Sequence, residues 1–218
     1  MKHFFLSLHK HHYCFVLLLT ALFLLFTGCA GTGKPQYSVE TYLMNYPAPS
    51  LQTRTPLAVS IKFNRFSIAA VYNTANMIFR NDAYSIDSFN YSRWAVNPAD
   101  MIADDLLRDL RTGGLFQAVF SRHDAEEGRF VLSGGVEEFY LKTDDKTKTA
   151  VIGVVISIHD AREIRTSKKM LFQKKYKKEE ALGESSPRGY ARAASLAMQA
   201  LSEQVSADIY QAIKTNMP

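Results

Sequence analysis

The feature that most constrains this chain is an unbroken apolar run of 14 residues, YCFVLLLTALFLLF at positions 13–26. It follows a segment that contains Lys2, Lys10 and four histidines but no acid. A membrane-spanning helix needs roughly 20 apolar residues, whereas the apolar part of a signal peptide needs about 7–15. The run is therefore typical of a signal peptide, and we expect the folded domain to lie after it.

A cysteine, Cys29, follows the apolar run directly after two small residues, Thr27 and Gly28. In a bacterial lipoprotein this cysteine is the acylated residue, whereas an ordinary secretory signal has no use for it. Leu25–Cys29 resembles such a lipobox, with Phe26 where leucine is usual. We predict cleavage before Cys29, a covalent diacylglycerol and an N-acyl chain on Cys29, and no other cofactor. The alternative is an uncleaved membrane anchor with an incidental cysteine.

These features predict the organisation of the chain. Residues 1–28 form the lipoprotein signal peptide, residues 29–36 the acylated cysteine and its tether, and residues 37–218 a single periplasmic domain. Ala30 follows the cysteine, where inner-membrane lipoproteins tend to have aspartate, so we expect an outer-membrane anchor facing the periplasm. Removal of Lys2 and Lys10 leaves 24 basic and 21 acidic residues, a mild excess that does not indicate nucleic-acid binding.

The domain is predicted to be α+β, with a mainly antiparallel mixed sheet and two helices packed on one face. Strands are expected at 36–45, 57–63, 67–71, 77–80, 116–121, 129–142, 149–159 and 168–178. Asn97-Pro98 and Ser186-Pro187 are helix-start signals, because a polar N-cap precedes proline at the first helical position. An apolar stripe follows each start, with Ile102, Leu106 and Leu110 in the first helix, where Asp104 and Arg108 are expected to form an i,i+4 pair on the outer side. Gly134-Gly135, inside the strand expected at 129–142, predicts a bulge or bend.

The sequence gives no indication of an enzyme. His123 and His159 are the histidines that remain after cleavage, and no cluster of metal ligands accompanies them, so no metal site is predicted. Adjacent carboxylates such as Glu137-Glu138 point to opposite faces of a strand, which is a poor arrangement for acid–base catalysis.

Two groups of residues are candidate partner-binding sites. The first is the densest basic run, Lys174, Lys175, Lys177 and Lys178, at the end of a predicted strand. Its alternative interpretation is an edge strand that lysines protect against aggregation. The second is an aromatic group in an apparent loop before the first helix, which includes Tyr91 and Trp94. If exposed, these side chains would form an interface hot spot; if packed, they would form a secondary core.

The order of motifs behind Cys29 resembles that of the ABC-type transport auxiliary lipoproteins, the PqiC-like family. The matching segments, spread over residues 37–214, are Tyr42-Leu43, Val59-Ser60-Ile61, Met77–Arg80, Tyr91 to Pro98, Gly114–Val119 and Phe130–Gly134 with Phe139. The first of these is shortened, and the spacing from Tyr91 to Pro98 departs from the family's pattern.

The resemblance implies a non-catalytic lipoprotein that serves an ABC- or MCE-type envelope system, which moves lipids or other hydrophobic molecules between membranes. Its expected partners are MCE-domain or ABC-transporter envelope proteins, with homo-oligomerisation also possible, and the membrane is contacted through the lipid anchor. The alternative, from a different class, is an outer-membrane lipoprotein that activates a cell-wall synthase or assists the assembly of another envelope complex.

Overall fold

Nine strands form one mixed sheet in the described part of the chain, and two helices pack against one of its faces. The computed structural model describes residues 37–50, 54–144, 147–165 and 169–217, so the predicted signal peptide and Cys29 lie outside the described residues. One compact unit spans Val39–Pro218. Its elements are β1 (Glu40–Tyr42), β2 (Leu57–Phe63), β3 (Ser67–Ile68), a 3-10 turn (Ala70–Tyr72), β4 (Asn76–Arg80), β5 (Asp87–Trp94), α1 (Pro98–Thr112), β6 (Phe116–Phe120), β7 (Phe130–Thr143), β8 (Lys148–Asp160), β9 (Met170–Ala181) and α2 (Pro187–Asn216).

The longest strand, β7, lies at the centre of the sheet. On one side it pairs antiparallel with β8, which pairs antiparallel with β9. On its other side β2, β3 and β4 pair in parallel with its beginning, middle and end, respectively. Strand β6 extends the sheet beyond β2, and β5 followed by β1 extends it beyond β4. The predicted α+β class is confirmed; the longest ladders are antiparallel, whereas most of the shorter strands pair in parallel.

The two helices begin at the predicted caps. The side chain of Asn97 accepts a hydrogen bond from the backbone N–H of Ala99 at 3.0 Å, and that of Ser186 accepts one from Gly189 at 3.0 Å. The apolar stripe of α1 is buried as predicted, and so is that of α2, which consists of Ala194, Met198, Leu201, Val205, Ile209 and Ile213. No helix in the described ranges combines the length and apolarity needed to cross a bilayer.

Three local predictions were wrong. Residues 87–94, expected to be a loop, form strand β5 between β1 and β4. The irregularity expected at Gly134-Gly135 lies instead between Val136 and Glu138. Arg108, expected to pair with Asp104 one turn earlier, donates instead to Asp105 at 2.9 Å and Asp109 at 2.8 Å, because its side chain turns toward the helix interface.

A buried polar network joins the two helices to the segment after β1. Asp109 of α1 accepts hydrogen bonds from the Tyr46 hydroxyl at 2.8 Å and the Ser202 hydroxyl at 2.5 Å. The Arg108 guanidinium lies over the Tyr46 ring, 4.4 Å from its centroid. Asp105 is also mostly desolvated, and one of its oxygens has no hydrogen-bond partner among the described atoms. Burial therefore raises the pKa of Asp105 to about 6, against the opposing effect of Arg108.

Candidate interaction surface

Strands β7, β8 and β9 have one face covered by helices and one face that the described helices leave uncovered, which we call the open face. Alternate residues of β8 from Ala150 to Ile158 pack in the core with α2. Because successive side chains on a strand point to opposite faces, the residues between them line the open face. These include Gly153, Val155 and Ser157, which align with Lys177, Lys175 and Gln173 of β9.

Small residues in register on neighbouring strands create a groove on the open face. Ser133, Ser157 and Gln173 form one cross-strand row, and Gly135 and Val155 belong to the next row. The groove has a volume of about 810 Å³ and is also lined by Ser67, Ile68, Ala69, Gly134, Glu137 and Lys175. Its lining combines serine hydroxyls and the Gln173 amide with apolar side chains such as Ile68 and Val155, and the Lys175–Glu137 ion pair (2.7 Å) lies at its border.

Sequence reasoning missed this groove, because its residues come from four separate segments. The available signal was the spacing of Gly153, Val155 and Ser157, which alternate with the buried Ile152, Val154 and Ile156. Gly153 also has a packing role: a Cβ atom there would lie 2.8 Å from the Glu138 carboxylate. The missing side chain allows Glu138 to cross the strand and pair with Lys177 at 3.0 Å.

The four predicted lysines lie on β9 but on both of its faces. Lys175 and Lys177 lie on the open face, where they pair with Glu137 and Glu138. The expectation that these two carboxylates point to opposite faces was wrong, because the register shift between Val136 and Glu138 interrupts the alternation there. Lys174 lies on the helix side and pairs with Asp208 of α2 at 2.7 Å, and Lys178, four residues further on, belongs to the same side. Opposite charges on both sides therefore offset much of the basic run.

Strand β9 is an edge strand among the described strands, since it pairs only with β8. Its 12 residues make a long edge for a sheet of this size. The lysine-rich sequence agrees with the interpretation of a protected edge, because charged side chains discourage uncontrolled pairing. Such an edge is also a place where an extended segment of a partner can add a strand.

The aromatic group before α1 divides between the core and the surface. Trp94 is only 2% exposed and packs edge-on against Phe139 and Tyr190, with centroid distances of 5.2 and 5.1 Å. The prediction that Trp94 contacts a partner is therefore corrected: its position on β5 points its side chain into the main core. Tyr91 is 47% exposed and remains a candidate.

The arrangement provides contact surface and hydrogen-bonding groups. Among the residues that the structure describes, no three metal-ligating side chains come together. His159 is partly buried, and burial together with nearby Lys169 lowers its pKa, which disfavours its charged form. The groove and the β9 edge together form the candidate interaction surface.

Solved structures share this fold at low sequence identity. A protein from Xanthomonas campestris matches with a TM-score of 0.74 and 12% identity, covering 82% of this chain and 98% of that one. A hypothetical protein from Chlamydia trachomatis matches with a TM-score of 0.51 and 12% identity, covering 73% of this chain and all of that one. These similarities define the fold class. No curated protein sequence gives a significant match.

The family itself comes from the sequence. The model of the ABC-type transport auxiliary lipoprotein component matches residues 42–206, which is most of the 218-residue chain. The chain belongs to this family, as its motif order predicted. It is thus a lipoprotein of the cell envelope and an auxiliary component of ABC-type transport.

Proposed function

We propose that this protein is a non-catalytic docking subunit, anchored in the outer membrane through acylated Cys29, of an ABC- or MCE-type system that moves lipids or other hydrophobic molecules between membranes. The observation that carries the proposal is the open face, where a groove of about 810 Å³ borders the edge strand β9. Family membership supports the transport role.

The chemistry of the groove favours a polypeptide over a lipid as its occupant. Ser67, Ser133 and Ser157 contribute hydroxyl groups to its lining, and these would lose hydrogen bonds to water beneath an acyl chain. An extended peptide can satisfy them and can also pair with the β9 edge. The protein would then hold the transporter in place while another subunit carries the cargo.

The length of the tether adds a requirement for the partner. Ala30 to Pro35 spans at most roughly 20 Å when extended, at about 3.3–3.6 Å per residue. A domain held so close to its membrane cannot bridge the periplasm. We therefore infer that the partner is elongated and extends to the outer membrane, as an MCE-type assembly would.

Site-specific photo-crosslinking in living cells tests this proposal. A photoreactive phenylalanine analogue replaces Gln173 on the open face, and the control carries it at Leu196, which is 52% exposed on the helix side. We expect Gln173 alone to give an adduct that mass spectrometry identifies as an ABC- or MCE-domain subunit. An adduct with a cell-wall synthase would overturn the transport assignment, and adducts only from Leu196 would overturn the docking surface.

The lipid anchor has its own test. Mass spectrometry of the protein extracted from membranes should show an acylated N-terminus at Cys29, and Cys29→Ala should prevent processing and acylation. A Cys29→Ala protein that is fully processed and still bound to the membrane would contradict the predicted anchor.

A further inference from the structure

We propose that the loop between β4 and β5 is a second membrane contact, which places Tyr84 in the headgroup region of the bilayer that holds the lipid anchor. This inference rests on the proposed acylation of Cys29. It concerns three apolar side chains, Val71, Tyr84 and Ile86, which together we call the apolar tip.

The apolar tip is one continuous surface feature. Its three residues line the same cavity of about 220 Å³, together with Tyr72, Arg80 and Ser85. Tyr84 is 100% exposed, and Val71 and Ile86 are about half exposed. Exposed apolar groups that cluster in this way mark contacts with a protein or a membrane.

Hydrogen bonds fix the loop that presents Tyr84. The Asp82 carboxylate accepts from the backbone N–H groups of Tyr84 and Ser85, both at 2.7 Å, and Arg80 donates to the carbonyl of Ala83 at 2.5 Å. These backbone donors lower the pKa of Asp82, so it stays ionised and keeps the turn closed. The tyrosine is thus held outward by a defined turn.

Strand pairing places the apolar tip at the end of the domain where the chain enters. Strand β1 runs parallel to β5, with Glu40 opposite Ser92. The start of β1 therefore points toward the start of β5 at Asp87, which the loop directly precedes. The distance from Ser92 back to Asp87 is about 17 Å, at about 3.3 Å per residue.

The chain length between Cys29 and Glu40 makes the bilayer the fitting occupant. Eleven residues span at most about 36–40 Å, and about 17 Å of this is needed to reach the level of the loop. When the tether continues along the direction of β1, the acylated cysteine holds the apolar tip within roughly 20 Å of the membrane, and even a weak contact is then favoured by high local concentration. Tyrosine suits this position, because its ring is apolar and its hydroxyl stays hydrated.

Tryptophan fluorescence of the mature, acylated protein in vesicles tests the inference. Tyr84→Trp introduces a fluorescent probe at the apolar tip. Ile164→Trp introduces a matched probe at an exposed apolar position in the β8–β9 loop, which follows the end of β8 opposite to the apolar tip. The native Trp94 is buried and supplies a constant background, measured in the parent protein. The vesicles contain phosphatidylethanolamine and phosphatidylglycerol with a nitroxide-labelled acyl chain.

We expect Tyr84→Trp emission to shift to shorter wavelength and to be quenched severalfold more strongly than Ile164→Trp emission. Equal quenching at both positions, or none at Tyr84→Trp while the protein floats with the vesicles, would overturn the membrane contact alone. Failure to float would instead contradict the acylation of Cys29. Circular dichroism of both variants should match the parent, since both side chains are exposed.

Discussion

The two faces of the β7–β9 sheet come from the same strands but differ in what they bury. On the helix side, alternate residues of β8 from Ala150 to Ile158 are almost completely inaccessible, and α2 lies across them. On the open face, Val151 joins a small cluster with Tyr72, Ile78 and Tyr140, and the neighbouring positions hold small or paired polar side chains. Stability is therefore concentrated on the covered face, which leaves the open face available for contact with a partner.

The two faces differ in the size of the side chains at alternate positions and in whether those side chains form ion pairs. The covered face uses large aliphatic groups, whose burial contributes about 25 cal/mol per Å² of apolar surface. The open face combines glycine and serine with cross-strand ion pairs such as Lys175–Glu137. Exposed ion pairs contribute little, about 0–1 kcal/mol each, so this face can change its contacts at small cost to the fold.

The largest expected effect lies on the covered face. Leu201→Ala should lower the free energy of unfolding by about 2–5 kcal/mol, because Leu201 is fully buried between α2 and the sheet. Chemical denaturation measures the change. Leu196→Ala on the same helix is the matched control and should change stability by no more than about 0.5 kcal/mol, since its side chain is half exposed. Equal losses in the two variants would contradict the burial of Leu201 against the covered face.

An intermediate effect concerns the polar network that joins the two helices, and it depends on pH. In the unfolded chain Asp105 releases its proton near its ordinary pKa of 3.8, whereas the folded protein retains it to about pH 6. The unfolded state binds fewer protons in this range, so ionisation of Asp105 lowers stability as pH rises from about 4 to 6. The amide side chain in Asp105→Asn cannot ionise, so the variant does not lose stability in this way as the pH rises.

The stability of Asp105→Asn relative to the parent should therefore grow between pH 4 and 6 and stay constant above pH 6. The full shift from 3.8 to about 6 corresponds to about 3 kcal/mol, which solvent screening of this partly exposed carboxyl reduces to roughly 1–2 kcal/mol. Denaturation curves across this pH range measure the difference. If the difference in free energy of unfolding between the variant and the parent does not vary with pH, Asp105 is not desolvated as described.

Much of the covered face could be predicted from the sequence, because its signals are local. Asn97-Pro98 and Ser186-Pro187 mark both helix starts, and the spacing of the buried residues of α2 identifies the face that packs. Strand β2 was predicted at its observed bounds, Leu57–Phe63, because its apolar and polar residues alternate cleanly.

The open face and strand β5 could not be predicted in this way, because both depend on long-range pairing. The sequence DSFNYSRW at 87–94 lacks a continuous apolar alternation, and it becomes a strand through its pairing with β4 and β1. The groove needs Ser67, Gly135 and Val155 to be in register on three strands, which no local pattern specifies. Trp94 was predicted to be a candidate partner-binding residue for the same reason.

The smallest expected effect separates the two faces of a single strand. The double variant Lys175→Ser/Lys177→Ser removes two charges from the open face, and Lys174→Ser/Lys178→Ser removes two from the helix side of β9. Both should change the free energy of unfolding only slightly, because the ion pairs that are lost are exposed. The two variants have the same net charge, so any difference between them reflects position alone.

Partner capture should distinguish these variants. If the open-face lysines contact the transporter, Lys175→Ser/Lys177→Ser will lower the yield of crosslinking from position 173 in detergent extracts. The loss should be larger at low salt, because high salt already screens the lysine contact in the parent protein. The helix-side variant should retain the parental yield at both salt concentrations. Equal losses in both variants would mean that the charge of β9 as a whole attracts the partner. If both variants keep the parental crosslinking yield, the partner contacts the groove and the backbone edge of β9, and the lysines are not part of the docking surface.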